Sequence, residues 1–173
     1  LFRSRAARNV GRPAGTIMNS CMSRLLLAWA PPLITFISGT GIAIDPEHHR
    51  LFSSCANNKV VVLDSDTGKV VATPTAGEDP DGLVFDPKSG NIFTSNPDGT
   101  ISVIHQDSPD AYRVLPTVVT SVGAKTIGLD EKTGRVVTCA PKFGPKPAPV
   151  KGGARPKAPV LAGTFEAIVV GQK

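Results

Sequence analysis

Three stretches end a short apolar run in aspartate at nearly even spacing: Gly41-Ile42-Ala43-Ile44-Asp45, Gly82-Leu83-Val84-Phe85-Asp86 and Thr126-Ile127-Gly128-Leu129-Asp130. The aspartates stand 41 and 44 residues apart, a period that suits repeated units of about four strands and exceeds that of leucine-rich or ankyrin repeats. Each aspartate opens a tight connection into a second strand, at Arg50-Leu51-Phe52, Asn91-Ile92-Phe93-Thr94-Ser95-Asn96 and Arg135-Val136-Val137-Thr138. In Asp86-Pro87-Lys88-Ser89-Gly90 the carboxylate accepts turn amides, proline presets φ, and glycine takes the positive φ that closes the hairpin. With 17 Gly and 16 Pro the chain is punctuated for turns, and both residues are costly inside helices.

A third strand follows in each copy: Lys59–Asp64, Thr100–Ile104 and Thr164–Val170. The second of these alternates, with Ile101, Val103 and His105 on one face, and it is entered through the hairpin signal Asn96-Pro97-Asp98-Gly99. Copy one continues through Asp64-Ser65-Asp66-Thr67-Gly68 into a fourth strand at Lys69-Val70-Val71-Ala72-Thr73, and Tyr112-Arg113-Val114-Leu115 begins the equivalent strand of copy two. Copy three departs twice. Residues 144–159 carry prolines throughout, which removes the donors a ladder needs, so this insertion is expected to be an exposed, extended or disordered loop. The chain then stops soon after the third strand, so the last unit lacks an outer strand of its own. The expected fold is all-β: a partial β-propeller of about three blades, near 41–80, 81–124 and 125–173, with four-stranded antiparallel blades except the last. Residues 1–38 stand outside it as an irregular basic leader.

Charge narrows the function. The net charge is +5, yet residues 41–141 hold 13 acidic against 8 basic side chains, a net of −5. The basic surplus sits in the leader (Arg3, Arg5, Arg8, Arg12, Arg24) and in the proline-rich segment (Lys142, Lys146, Lys151, Arg155, Lys157). A basic nucleic-acid face on the blades is therefore not expected.

The motifs Gly-Ile-Ala-Ile-Asp-Pro (41–46), Arg50-Leu51-Phe52, Val61-Val62-Leu63-Asp64 with Asp66-Thr67-Gly68-Lys69-Val70-Val71, and Phe93-Thr94-Ser95-Asn96 resemble the YVTN-type repeat of YncE-like bacterial β-propellers. The resemblance covers about residues 39–173, including the proline-rich insertion and the terminal Val-Val-Gly. It implies a seven-bladed ring of which this chain holds the C-terminal part, hence a truncated form. It also implies export to the periplasm or outside the cell, and a non-enzymatic scaffold that binds a protein or small-molecule ligand at blade loops or open edges. Missing blades or self-association are then needed to cover those edges. The alternative is a fragment of a lactonase-like or quinoprotein-like propeller enzyme with channel-facing carboxylates.

The leader admits two readings. Met22-Ser23-Arg24 followed by thirteen mostly apolar residues, Leu25–Ile37, is signal-like and too short for a stable membrane span, which takes ~20. Pro31-Pro32 interrupts it, which suits instead a leader unrelated to the propeller, such as a gene-model or frameshift artefact.

No catalytic constellation stands out. There is no nucleophile elbow, no phosphate-cradling glycine loop and no Ser/His/Asp arrangement, so catalytic residues, metal ligands and cofactors are all expected to be none. Asp45, Asp86 and Asp130 are the binding candidates, because the repeat sets them at equivalent blade positions where carboxylates could ring a channel. Capping of their own turns is the competing role. His48-His49 with Cys55 is the single His/Cys cluster, and adjacent histidines in a turn point apart. Cys55 and Cys139 fall at similar points of two repeats, too far apart in separate blades to favour a disulfide.

Overall fold

The computed structural model describes residues 39–148 and 157–171, and these form eleven strands and no helix. They group into three antiparallel sheets. Blade 1 holds β1 (Gly39–Asp45), β2 (Arg50–Cys55), β3 (Lys59–Asp64) and β4 (Val70–Ala72) in that order. Blade 2 holds β5 (Gly82–Asp86), β6 (Asn91–Asn96), β7 (Thr100–Ser108) and β8 (Ala111–Val119). Blade 3 holds β9 (Lys125–Asp130), β10 (Arg135–Ala140) and β11 (Glu166–Val170). Among the described residues no strand pairs with the outer edge of β11. The expected architecture of two four-stranded blades and one three-stranded blade is what the chain adopts. The leader, residues 149–156 of the insertion and Cys21 lie outside the described residues.

The blades meet through their first strands, β1 beside β5 and β5 beside β9. Two glycines permit that approach. A Cβ on Gly41 would stand 2.6 Å from the backbone nitrogen of Leu83, closer than packed atoms allow, and one on Gly82 would stand a tight 3.0 Å from Cγ2 of Ile127. The equivalent residue of blade 3, Thr126, has no further blade against it among the described residues and adopts φ 63°, a conformation a β-branched residue rarely takes.

The core lies between blades. Phe52, Val60 and Val62 of blade 1 are buried against Leu83, Ile92 and Ile104 of blade 2, with Ala43, Phe85 and Tyr112 packed around them. Phe93, Ile101 and Val103 of blade 2 are buried against Val136 of blade 3, with Val84, Ile127, Leu129 and Val170 around them. A smaller cluster of Cys55, Val61 and Leu63, with Leu51 and Val70, lies on the other face of blade 1. Period-2 alternation explains this: each central strand sends alternate side chains to two different blade boundaries, so it reads as a nearly continuous apolar run.

Three details refine the sequence reading. The third and fourth strands of blade 2 extend to a nine-residue pair, β7 to Ser108 and β8 to Val119, with Pro116 on the outer strand, where a missing donor costs no ladder bond. The ends of the proline-rich insertion are stapled together, Gly144 donating to the Pro159 carbonyl at 2.8 Å and Leu161 to that of Lys142 at 2.9 Å. Cys55 and Cys139 are both free thiols, and the registers place them one residue out of step: Cys139 corresponds to Ser54, since Ser54 and Cys139 are each four residues beyond the residue paired with the turn aspartate. In a pleated strand that offset sends them to opposite blade faces.

Candidate functional site

The three repeat aspartates sit at the ends of β1, β5 and β9, and each spends both oxygens on its own turn. Asp45 Oδ1 accepts the amides of Glu47 (3.1 Å) and His48 (3.3 Å), and Oδ2 takes His48 Nδ1 at 2.7 Å. Asp86 accepts the Lys88 amide at 3.1 Å and the Ser89 hydroxyl at 2.7 Å. Asp130 accepts the Lys132 amide at 3.1 Å and the Thr133 hydroxyl at 2.6 Å. Burial pushes the Asp45 carboxyl up, but hydrogen bonds from His48 and Gln106, with the nearby His48 charge, together hold the group below the usual carboxylate range. Hydrogen bonding from Thr133 does the same for Asp130. Among the described residues no three His, Cys, Asp or Glu side chains gather as a metal site.

The histidines disperse. His48 turns to Asp45, His49 turns to Asp66 at 3.1 Å, and His105 meets the Asn91 side-chain oxygen at 2.9 Å. Cys55 lies at the far end of β2 from this turn, buried, with its thiol pKa raised by that burial and its sulfur directed at the Ser53 carbonyl. A buried thiol held protonated is a poor ligand and nucleophile.

Arg50 is a polar hub that the sequence did not announce. Its guanidinium donates to the carbonyls of His48 and His49 (both 3.0 Å), to Asp64 (3.2 Å), and across the blade boundary to the Pro109 carbonyl (2.9 Å) and Asp110 (2.7 Å). Tyr112, whose hydroxyl donates to the same Pro109 carbonyl at 2.8 Å, packs its ring edge-on to Phe52 at 6.1 Å. The partners of Arg50 across the boundary lie 59 and 60 residues downstream, so no local pattern signals them. The hub fixes the β7–β8 hairpin to blade 1.

Among the described residues, several large apolar side chains stand exposed. Counting back from each aspartate, Ile42 and Ile44 correspond to Leu83 and Phe85, and to Ile127 and Leu129. Leu83 is 6% exposed in its boundary, whereas Ile42 and Ile44 are each 55% exposed. On blade 3 the registers equate Val137 with Phe52 and Phe93, and Val169 with Val62 and Val103. The four internal residues are buried; Val137 is 37% and Val169 58% exposed. Gly128 stands where blade 1 has Ala43 and blade 2 has Val84, and a Cβ there would meet nothing within 4 Å. The openness at the blade 1 end is confined to β1: Leu63, Val61 and Cys55 share the face of Ile42 and Ile44 and are 5%, 2% and 1% exposed.

No protein-family model matches the chain, and no curated protein is significantly similar in sequence. Solved structures are similar in fold. A chain of Kuenenia stuttgartiensis hydrazine synthase superposes with TM-score 0.55 at 14% identity, covering 62% of this chain and 30% of that one. A chain of the mitotic checkpoint complex gives TM-score 0.51 at 18% identity over 57% of this chain and 32% of that one. Saccharomyces cerevisiae Sqt1 gives 0.51 at 15% identity over 62% and 32%. The chain thus spans about a third of the length of these propeller-type structures, and the likeness fixes its fold as β-propeller in kind. No helix among the described residues is long and apolar enough to cross a membrane.

Proposed function

We propose that this chain is a non-catalytic β-propeller unit of YncE-like, YVTN-repeat type that serves as a binding scaffold, and that its terminal blade faces are its recognition surfaces. The observation that carries this reading is the contrast between Leu83, 6% exposed, and its equivalent Ile42, 55% exposed. Positions built for a blade boundary stand open to a partner, and burying them is the favourable step of association. The YVTN-type motifs support an exported, periplasmic or extracellular, setting.

The enzymatic alternative needs carboxylates free to hold a hard cation on oxygen ligands. Asp45, Asp86 and Asp130 are instead committed to backbone amides and hydroxyls of their turns. Elemental analysis of the purified chain together with calorimetric titration by Ca²⁺ tests the reading. The expected result is no stoichiometric ion. One ion per chain, lost on Asp86→Asn or Asp130→Asn, would overturn it in favour of the propeller enzyme.

A further inference from the structure

The staple that closes the proline-rich insertion carries apolar side chains into the open. Phe143 bridges Val160 in antiparallel register, and the Leu161 amide donates to the Lys142 carbonyl at 2.9 Å. Residues opposite one another in such a pair share a face and successive residues alternate, so Phe143 and Val160 lie on one face and Leu161 on the other. Phe143 is 44%, Val160 59% and Leu161 44% exposed. Val122 is exposed in the same patch, because its neighbour Gly123 lies under the Phe143 ring: a Cβ there would stand 2.4 Å from Cε2.

Phe143 and Val122 stand clear of both terminal blade faces. Gly123 belongs to the connection from β8 of blade 2 to β9 of blade 3, and Ser121 in the same connection donates its hydroxyl to Glu166 of β11 at 2.6 Å. The patch therefore sits over the boundary of two blades that are both present, away from the ends of the stack where further blades would seat.

The charge around the patch is of one sign. No acidic residue stands between Glu131 and Glu166, and Lys142, Lys146 and Lys157, which flank Phe143 and Val160 in sequence, are all exposed. Residues 41–131 hold 13 acidic against 6 basic side chains, so the staple is a basic element on an acidic array.

We infer that this staple is a membrane-contact element that docks the chain on a bilayer surface rich in anionic lipid. Apolar side chains on both faces of a two-stranded staple suit a medium that surrounds them, whereas a protein groove would offer a wall to one face. Lysines reach the headgroups on long apolar stems. Burial of Phe143, Val160 and Leu161 at the acyl boundary and attraction of the ammonium groups to anionic headgroups then act together. The same surface repels the acidic blades, which orients the chain with its staple towards the lipid. This contact is separate from the terminal blade faces and goes beyond the scaffold reading.

Flotation of the full 173-residue chain with vesicles of phosphatidylcholine alone, or of phosphatidylcholine and phosphatidylglycerol in equal parts, tests it. The chain should bind the anionic vesicles at least tenfold more tightly than the neutral ones, and less tightly as salt rises. Lys142→Glu with Lys146→Glu and Lys157→Glu should weaken that binding at least tenfold, as should Phe143→Ser with Leu161→Ser. Val114→Ser, at an exposed apolar position on β8, should bind as the wild type does. If Phe143→Ser loses the strand signature in circular dichroism, Val160→Ser with Leu161→Ser takes its place. Equal binding to the two kinds of vesicle overturns the inference. So does binding that neither set of staple substitutions weakens, which would place the contact elsewhere, as in the basic and apolar stretch 22–37. Absence of flotation overturns it as well and leaves the patch to a protein partner with an acidic surface.

Discussion

Phe52 and Phe85 meet across the boundary of the first two blades with ring centroids 5.0 Å apart and planes tilted by 44°. One ring comes from a second strand and the other from a first strand, so the contact joins two repeats through residues that each repeat supplies in turn. Phe52 is fully buried. Phe52→Ala should cost ~3–5 kcal/mol through lost transfer and the cavity left behind, read as a fall in the urea midpoint with an unchanged slope.

The Arg50 hub gives a second expectation. A lysine keeps the charge and loses the planar fork that serves five acceptors at once. Arg50→Lys should destabilise by ~1–2 kcal/mol, whereas Asp110→Ala, which removes one solvent-exposed partner, should cost under ~1 kcal/mol. Equal costs for the two would show that the backbone carbonyls contribute little.

Stability should depend on pH in a definite direction. Asp45, Asp64, Asp107 and Asp130 all titrate below their ordinary value in the folded chain. A depressed carboxylate binds its proton more readily unfolded than folded, so its contribution is present above the unfolded pKa of about 4 and is lost as pH falls through the folded value. The urea midpoint should be flat in this respect from pH 7 to about 5 and drop towards pH 3. Asp45→Asn should lower the pH 7 midpoint and flatten that drop.

Two substitutions at equivalent positions should act in opposite senses. Thr126→Gly relieves a left-handed backbone that costs a β-branched residue about 1–2 kcal/mol, against a glycine entropy loss of about 0.5–1 kcal/mol, so a gain of ~0.5–1 kcal/mol is expected in thermal denaturation. Gly41→Ala forces a methyl onto the backbone of Leu83 and should cost ~1–3 kcal/mol.

Local chemistry made much of this fold legible. The strand, aspartate, turn, strand order of each repeat is set by neighbours within six residues, and Asp45, Asp86 and Asp130 cap the turns that their sequence context describes. What was hidden is long-range. Arg50 reads as an ordinary strand residue until the β7–β8 hairpin arrives beside it. The one-residue offset between Cys55 and Cys139 can be counted from the turn aspartates, ten residues after Asp45 against nine after Asp130, but that it sends the two thiols to opposite blade faces follows only from the ladder register. The prolines of 144–159 hid the pairing of Phe143 with Val160 because that bridge uses residues flanking the prolines. The open faces were readable only once register showed which alternate residues share a boundary.

The most direct test compares Ile42→Ala with Leu83→Ala in chemical denaturation over a range of chain concentrations. Leu83→Ala should lose ~2–5 kcal/mol at every concentration, as a buried core residue does. Ile42→Ala should cost under ~1 kcal/mol in dilute solution, because truncating a side chain that stands open to solvent gives up little burial. An Ile42→Ala cost equal to that of Leu83→Ala in dilute chain would contradict the assignment of Ile42 to an open recognition face.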